Sequence, residues 1–129
     1  MNILLDTHTL LWLLREPTTV DPGALAHLAD PSTTVWVSAA SAWEIAIKTR
    51  LGRLDGSTLL STWASQLETM RVDDLPIDSD DAIVAGRLPW DHRDPFDRVI
   101  VAQALRRNLT LATRDAKILA AALIPTLKA

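Results

Sequence analysis

The chain has 129 residues, 48% of them apolar and 22% charged, with a net charge of −3 and no cysteine. This length fits one domain, residues 1–129, with a sizeable core, and the missing cysteines exclude disulfide frameworks and thiolate zinc sites. No apolar run approaches the roughly 20 residues of a membrane span and no charged-then-apolar leader opens the chain, so a cytoplasmic protein is expected.

Asn2-Ile3-Leu4-Leu5 reads as a buried strand that ends at Asp6. Thr7 to Arg15 follows as a helix, broken at Pro17. Asp21-Pro22 opens a second helix with a capping aspartate and a proline at the first helical position. Leu25, Leu28 and Ala29 give it an apolar face, and Pro31 ends it. Thr34-Val35-Trp36-Val37 is a second strand. Ser38 caps a helix from Ala39 to Leu51, with Trp43, Ile47 and Leu51 on one apolar stripe and Gly52 where a left-handed terminator is wanted.

Ser57 to Met70 reads as one further helix, with Leu60, Trp63, Ala64 and Leu67 facing inward. Arg71 to Ile77 carries a weakly alternating short strand, and Asp78 caps a short helix ending near Gly86. A polar loop from Leu88 to Arg93 leads to Asp94-Pro95, a second cap-then-proline start. Val99, Ile100, Val101, Ala102, Ala104 and Leu105 leave that helix little polar face, so it is expected to be buried on most sides. Leu109 to Ala112 is a strand, Asp115 starts a last helix, and Leu123 to Leu127 is the candidate edge strand. Short apolar strands alternating with helices predict an α/β fold with a parallel sheet covered on both faces. In such a sheet the site lies outside the carboxyl ends of the strands.

Four acids can reach that edge: Asp6, Glu44, Asp97 and Asp115. Each also has a plain structural reading. Asp6 and Asp115 are good caps, Glu44 stands four before Lys48 in the favourable order for a helical ion pair, and Asp97 suits the positive end of its helix. Asp94 is assigned mainly to capping. Together the four carboxylates would repel one another and raise their own pKa values, a cost that a cation among them relieves. Oxygen-only ligation suits Mg²⁺ or Mn²⁺ rather than zinc. A carboxylate-bound Mg²⁺ recruits phosphates and assists in-line displacement by water.

The net charge argues against a non-specific nucleic-acid binder. Without the four acids, however, 13 Lys and Arg face 12 Asp and Glu. From Arg87 to Lys117, seven basic residues stand against four acids. Arg93, Arg98 and Arg114 adjoin candidate site acids, as their ion partners or as holders of RNA phosphates. Trp90, in a polar loop, is the one tryptophan kept for base stacking. His8 reads as a helix-start or core residue and His92 as a solvated loop residue, with contact to a phosphate as its second reading.

The chain resembles the PIN-domain ribonucleases, in particular toxins of the VapC type. The resemblance rests on Leu4-Leu5-Asp6-Thr7-His8, on Val37-Ser38-Ala39-Ala40-Ser41-Ala42-Trp43-Glu44-Ile45-Ala46-Ile47-Lys48, on His92-Arg93-Asp94-Pro95-Phe96-Asp97-Arg98 with Ala102-Gln103-Ala104, and on Thr113-Arg114-Asp115. It implies a three-layer α/β/α sandwich with a central, mainly parallel sheet. It implies that Asp6, Glu44, Asp97 and Asp115 form an acidic metal site, supported by Thr7, Ser38 and Thr113, with Asp94 open as a water-mediated contact. It further implies Mg²⁺- or Mn²⁺-dependent cleavage of RNA, a homodimer, and a cognate antitoxin that blocks the site.

Two rival enzyme readings fail on residues. A haloacid-dehalogenase-type phosphatase needs a second Asp two residues after the first, where this chain has His8. A receiver-like domain needs a lysine at a late strand end, where this chain has Ala112-Thr113-Arg114. The alternatives that remain are a catalytically silent PIN-like binding module, its acids serving only as caps, and another metal-dependent phosphohydrolase.

Overall fold

The computed structural model describes residues 1–129. Five strands form one sheet: β1 (Asn2–Leu5), β2 (Thr34–Ser38), β3 (Val72–Leu75), β4 (Thr110–Thr113) and β5 (Thr126–Lys128). Their order is β3-β2-β1-β4-β5, and every pairing is parallel. The chain builds outward from β1 to one edge and then restarts on its other side with β4. The order therefore reverses between β1 and β4, where the two flanking connections leave in opposite directions and open a crevice at the carboxyl edge.

Eight helices cover the sheet: α1 (Thr7–Arg15), α2 (Pro22–Ala29), α3 (Ala39–Arg50), α4 (Ser57–Ser61), α5 (Trp63–Met70), α6 (Ser79–Arg87), α7 (Pro95–Arg107) and α8 (Ala116–Ala121). Alternation along β1 sends Leu4 to one face and Ile3 and Leu5 to the other. Leu4 and Leu111 pack with Ile100, Val101 and Ala104 of α7, while Ile3 and Leu5 pack with Leu10 of α1 and Leu67 of α5. The expected three-layer α/β/α sandwich is the observed one. No helix is long and apolar enough to cross a membrane.

Three expectations are corrected. Ser57 to Met70 is not one helix but α4 and α5, separated at Thr62. The Thr62 hydroxyl donates to the Thr58 carbonyl at 2.7 Å, a local bond that competes with helix continuation. Second, the apolar stripe of α3 does not face the core. Trp43 is 55% and Leu51 48% exposed, because α3 turns Ala40, Ser41, Glu44 and Ile45 inward instead. Third, the final strand is shorter than Leu123 to Leu127 and displaced, occupying Thr126–Lys128 at the sheet edge.

Helices α6 and α7 are joined by a polar lock that the sequence does not announce. Asp81 is fully buried and closes a reciprocal capping box with Asp78. Its carboxylate accepts from Arg106 Nη1 at 2.5 Å, Arg107 Nη1 at 2.6 Å and Gln103 Nε2 at 3.2 Å. Burial opposes its charge, yet these bonds, with that from the Asp78 backbone, hold the Asp81 carboxyl well below the ordinary carboxylate range.

Candidate active site and its relatives

Asp6 leaves the end of β1 beside the crevice. Its Oδ1 accepts the Thr9 N–H at 2.8 Å, which caps α1. Its Oδ2 accepts the Thr113 hydroxyl at 2.5 Å. Thr113 is the last residue of β4, paired to the sheet beside β1, so the strand register itself delivers this donor. The Thr113 hydroxyl also accepts from the Asp115 N–H at 3.0 Å. One buried hydroxyl thus ties two of the candidate acids to each other. Asp115, which is exposed, caps α8 through the N–H groups of Lys117 and Ile118.

Glu44 comes from α3 and is 4% exposed. Its Oε2 accepts from Lys48 at 2.7 Å. Ser38 caps the same helix through the Ala40 N–H, and Thr7 meets Ser41 at 2.9 Å, which binds α1 to α3. Trp43 packs edge-on against Phe96, ring centroids 4.9 Å apart. That contact sets the sequence neighbours Glu44 and Asp97 against the same space.

Asp97 lies in the first turn of α7, which Asp94 caps through the N–H groups of Phe96 and Asp97. Burial pushes the Asp97 carboxyl up to about 6, with Asp94 and Asp115 adding to the rise and His92 opposing it. His92 is a correction: it is not a solvated loop residue, because its Nε2 lies 2.7 Å from Asp97 Oδ2 and its ring is largely covered. His8 is exposed and lines the cleft rather than the core.

The four acids line one cleft of about 320 Å³, together with Thr7, His8, Lys48, His92, Asp94 and Lys117. Ser38 and Thr113 do not line it; Thr113 reaches it through its bonds to Asp6 and Asp115. The sequence marks Lys48 only as a partner of Glu44 and does not place Lys117 in the cleft. Neither its spacing nor its neighbours distinguish a cleft lysine from a surface one. No three Asp, Glu or His side chains gather closely enough to cage a cation unaided. Even so, one oxygen each of Glu44, Asp94, Asp97 and Asp115 has no hydrogen-bond partner in the protein. All of these are hard oxygen donors. That arrangement fits a hydrated ion such as Mg²⁺, which keeps several waters and takes only one or two carboxylates.

The arginines divide. Arg98, expected as an ion partner or RNA holder, is neither. Its guanidinium donates to the carbonyls of Ala85, Leu88, Trp90 and His92 at 2.6–3.0 Å. Arg114 stacks 4.2 Å over the Trp12 ring and donates to the carbonyls of Thr19 and Ala129, so it too is largely engaged. Arg106 and Arg107 serve the Asp81 lock. Of the three candidate RNA arginines, Arg93 alone is exposed without a partner.

An acid-lined cleft at the switch point of a five-stranded parallel α/β/α sandwich defines the chain as PIN-like in architecture. Residues 3–123 match the PIN domain model, and the chain belongs to that family. The resemblance to the PIN-domain family drawn from the sequence is borne out. Solved structures with the same fold include VapBC2 from Rickettsia felis bound to a DNA fragment from its promoter, 17% identical over 98% of both chains with a TM-score of 0.71. FitAB bound to an IR36 DNA fragment is 25% identical over 97% of this chain and 93% of that one, with a TM-score of 0.65. A toxin–antitoxin complex from Klebsiella pneumoniae is 19% identical over 98% and 96%, also with a TM-score of 0.65. Comparison with curated protein sequences gives no match.

Proposed function

We propose that this chain is a divalent-metal-dependent endoribonuclease and the toxin of a toxin–antitoxin pair. The observation that carries the reading is the convergence of Asp6, Glu44, Asp97 and Asp115 from four separate elements on one cleft. Membership of the PIN domain family supports nuclease chemistry. Asp97 is raised chiefly by burial, and the charges of Asp94 and Asp115 add to the rise; that part of the strain is one a cation among the acids would relieve.

In this reading Asp6, Glu44, Asp97 and Asp115 would hold Mg²⁺ or Mn²⁺, one or two of them directly and the others through its waters, with Asp94 also acting through water. When bound, the ion supplies an activated water and stabilises the leaving oxygen of an in-line displacement at phosphorus. The chain does the positioning. Thr113 and the Thr9 N–H fix both oxygens of Asp6. Lys48 holds Glu44 in one rotamer. His92 Nε2 can hold or pass a proton at Asp97 Oδ2. Lys48 and Lys117 put positive charge on the cleft wall, where a phosphodiester must pass.

The partner half of the proposal rests on the toxin–antitoxin complex that shares the fold. An all-apolar groove of about 270 Å³, lined by Leu13, Leu25, Leu28, Val35, Met70 and Val72 among others, suits an amphipathic segment of an antitoxin. The exposed Trp43 of α3, Leu51 just past its end and Leu105 of α7 are apolar surface that a second copy would cover. The setting proposed is the cytoplasm.

The test is cleavage of total RNA by purified protein with Mg²⁺, with Mn²⁺ and with chelator, beside Asp97→Asn. Metal-dependent cutting lost in the variant is expected. The caps on Asp6 and Asp115 favour one competing reading, a silent binding module, and that module gains no thermal stability from either metal.

A further inference from the structure

The acid-lined cleft continues into a second, larger space of about 620 Å³ that the metal site does not use. His92 and Lys117 line both. The remaining wall is formed by Trp90, Asp91, Arg93, Ala120 and Ala121. We propose that this space is a nucleotide subsite: the Trp90–His92 platform stacks a base next to the scissile phosphate, and Arg93 and Lys117 hold the phosphates on either side. The proposal rests on the nuclease reading above and deepens it.

Three features support it. First, the platform is aromatic and fixed. The Trp90 and His92 rings lie 4.7 Å apart, tilted by 48°. Arg98 Nη1 grips the carbonyls of both residues, at 2.6 and 3.0 Å. Trp90 also packs against the core beneath α7. A platform ordered before binding loses little freedom when a base arrives.

Second, the charges are arranged for a polyanion. Arg93 and Lys117 are exposed and form no ion pair. Arg106 and Arg107, the arginines that are paired with acids, lie elsewhere, at the Asp81 lock. Third, part of the wall is small: Ala120 and Ala121 leave room for a ring, while Asp91 offers an acceptor for a base amine. An acidic peptide would use the two cations but gain nothing from an aromatic platform. Alternating π-face and cation is the pattern of single-strand binding.

The experiment measures binding of fluorescein-labelled single-stranded RNA decamers, random and homopolymeric, to the full chain. It is run once with chelator and once with Ca²⁺. Trp90→Ala should weaken binding by roughly 5- to 100-fold, and Trp90→Phe should restore most of it. Arg93→Ala and Lys117→Ala should each lower the slope of log affinity against log salt by about 0.7. Wild-type binding that Trp90→Ala leaves unchanged overturns the subsite while leaving the nuclease reading intact. Weakening by the two cation variants alone marks a plain electrostatic surface and also overturns it. Wild-type protein that binds no RNA in either condition removes both readings together.

Discussion

Asp97 is a carboxylate whose surroundings resist its charge. Burial, Asp94 and Asp115 raise its pKa from 3.8 to about 6. A raised carboxylate pKa means that the folded state binds the proton more tightly than the unfolded chain does. Its cost to stability is therefore absent below about pH 4, grows between about pH 4 and 6, and is full above that, at no more than about 3 kcal/mol. Asp97→Asn keeps an acceptor for His92 and removes the charge. The metal-free variant should be more stable than wild type at pH 8 by roughly 1–3 kcal/mol and no more stable at pH 4. Urea titrations at the two pH values decide it; equal differences at both would refute the assignment of strain to this charge. Thr113 carries the opposite expectation. Its hydroxyl donates to Asp6 and accepts from the Asp115 N–H. Thr113→Val should cost about 1–3 kcal/mol and lower RNA cleavage by freeing Asp6 to rotate.

Among the elements, the loop between α6 and α7 is the one whose shape depends on a single side chain. Arg98 satisfies three of its carbonyls, those of Leu88, Trp90 and His92, together with that of Ala85 in α6. Arg98→Ala leaves them to water and should destabilise the fold by roughly 1–3 kcal/mol. The freed loop should also expose Arg87 and Arg93 to trypsin in the native state. A wild-type digestion pattern in that variant would show that the loop holds itself. This role was not legible in the sequence, and the reason is physical. Side-chain type and helical position place Asp94 as a cap, and strand ends place Asp6 and Asp115 at the sheet edge. Those are local rules. The bonds of Arg98 run to backbone carbonyls 6 to 13 positions away, and a carbonyl carries no sequence signature. The same holds for His92, whose contact with Asp97 spans the Asp94-Pro95 turn. Helix periodicity likewise placed α3 but chose the wrong face. Trp43, Ile47 and Leu51 form the more apolar stripe, while the buried one carries Ser41 and Glu44 because it faces the cleft. The break at Thr62 has the same origin, a hydroxyl-to-backbone bond within a segment whose apolar spacing continues.

Over the whole molecule, two charged centres couple the fold to solution conditions in opposite senses. The Asp81 lock lies between α6 and α7. The cleft lies at the carboxyl edge of β1 and β4. Asp81 has a depressed pKa, so its contribution is complete above about pH 4 and is lost as pH falls below that. Asp81→Asn should therefore destabilise the protein at pH 7 by about 1–3 kcal/mol and reduce the acid sensitivity of what remains. On the proposed function the cleft behaves differently, because a cation held there would bind only the folded state. At a hundredfold excess over its dissociation constant, Mg²⁺ or Mn²⁺ should add about 2.7 kcal/mol, a rise of roughly 10 °C in Tm for a chain of this size. Asp97→Asn should abolish most of that rise, whereas Asp81→Asn should lower Tm with and without metal by the same amount. Scanning calorimetry of wild type and both variants at pH 7.5, with metal and with chelator, separates the two centres. Equal loss of the metal-induced rise in both variants would mean that the cation acts through the fold as a whole. A rise unchanged in both would move the ion out of the cleft, and with it the argument that the four carboxylates gather there to hold one.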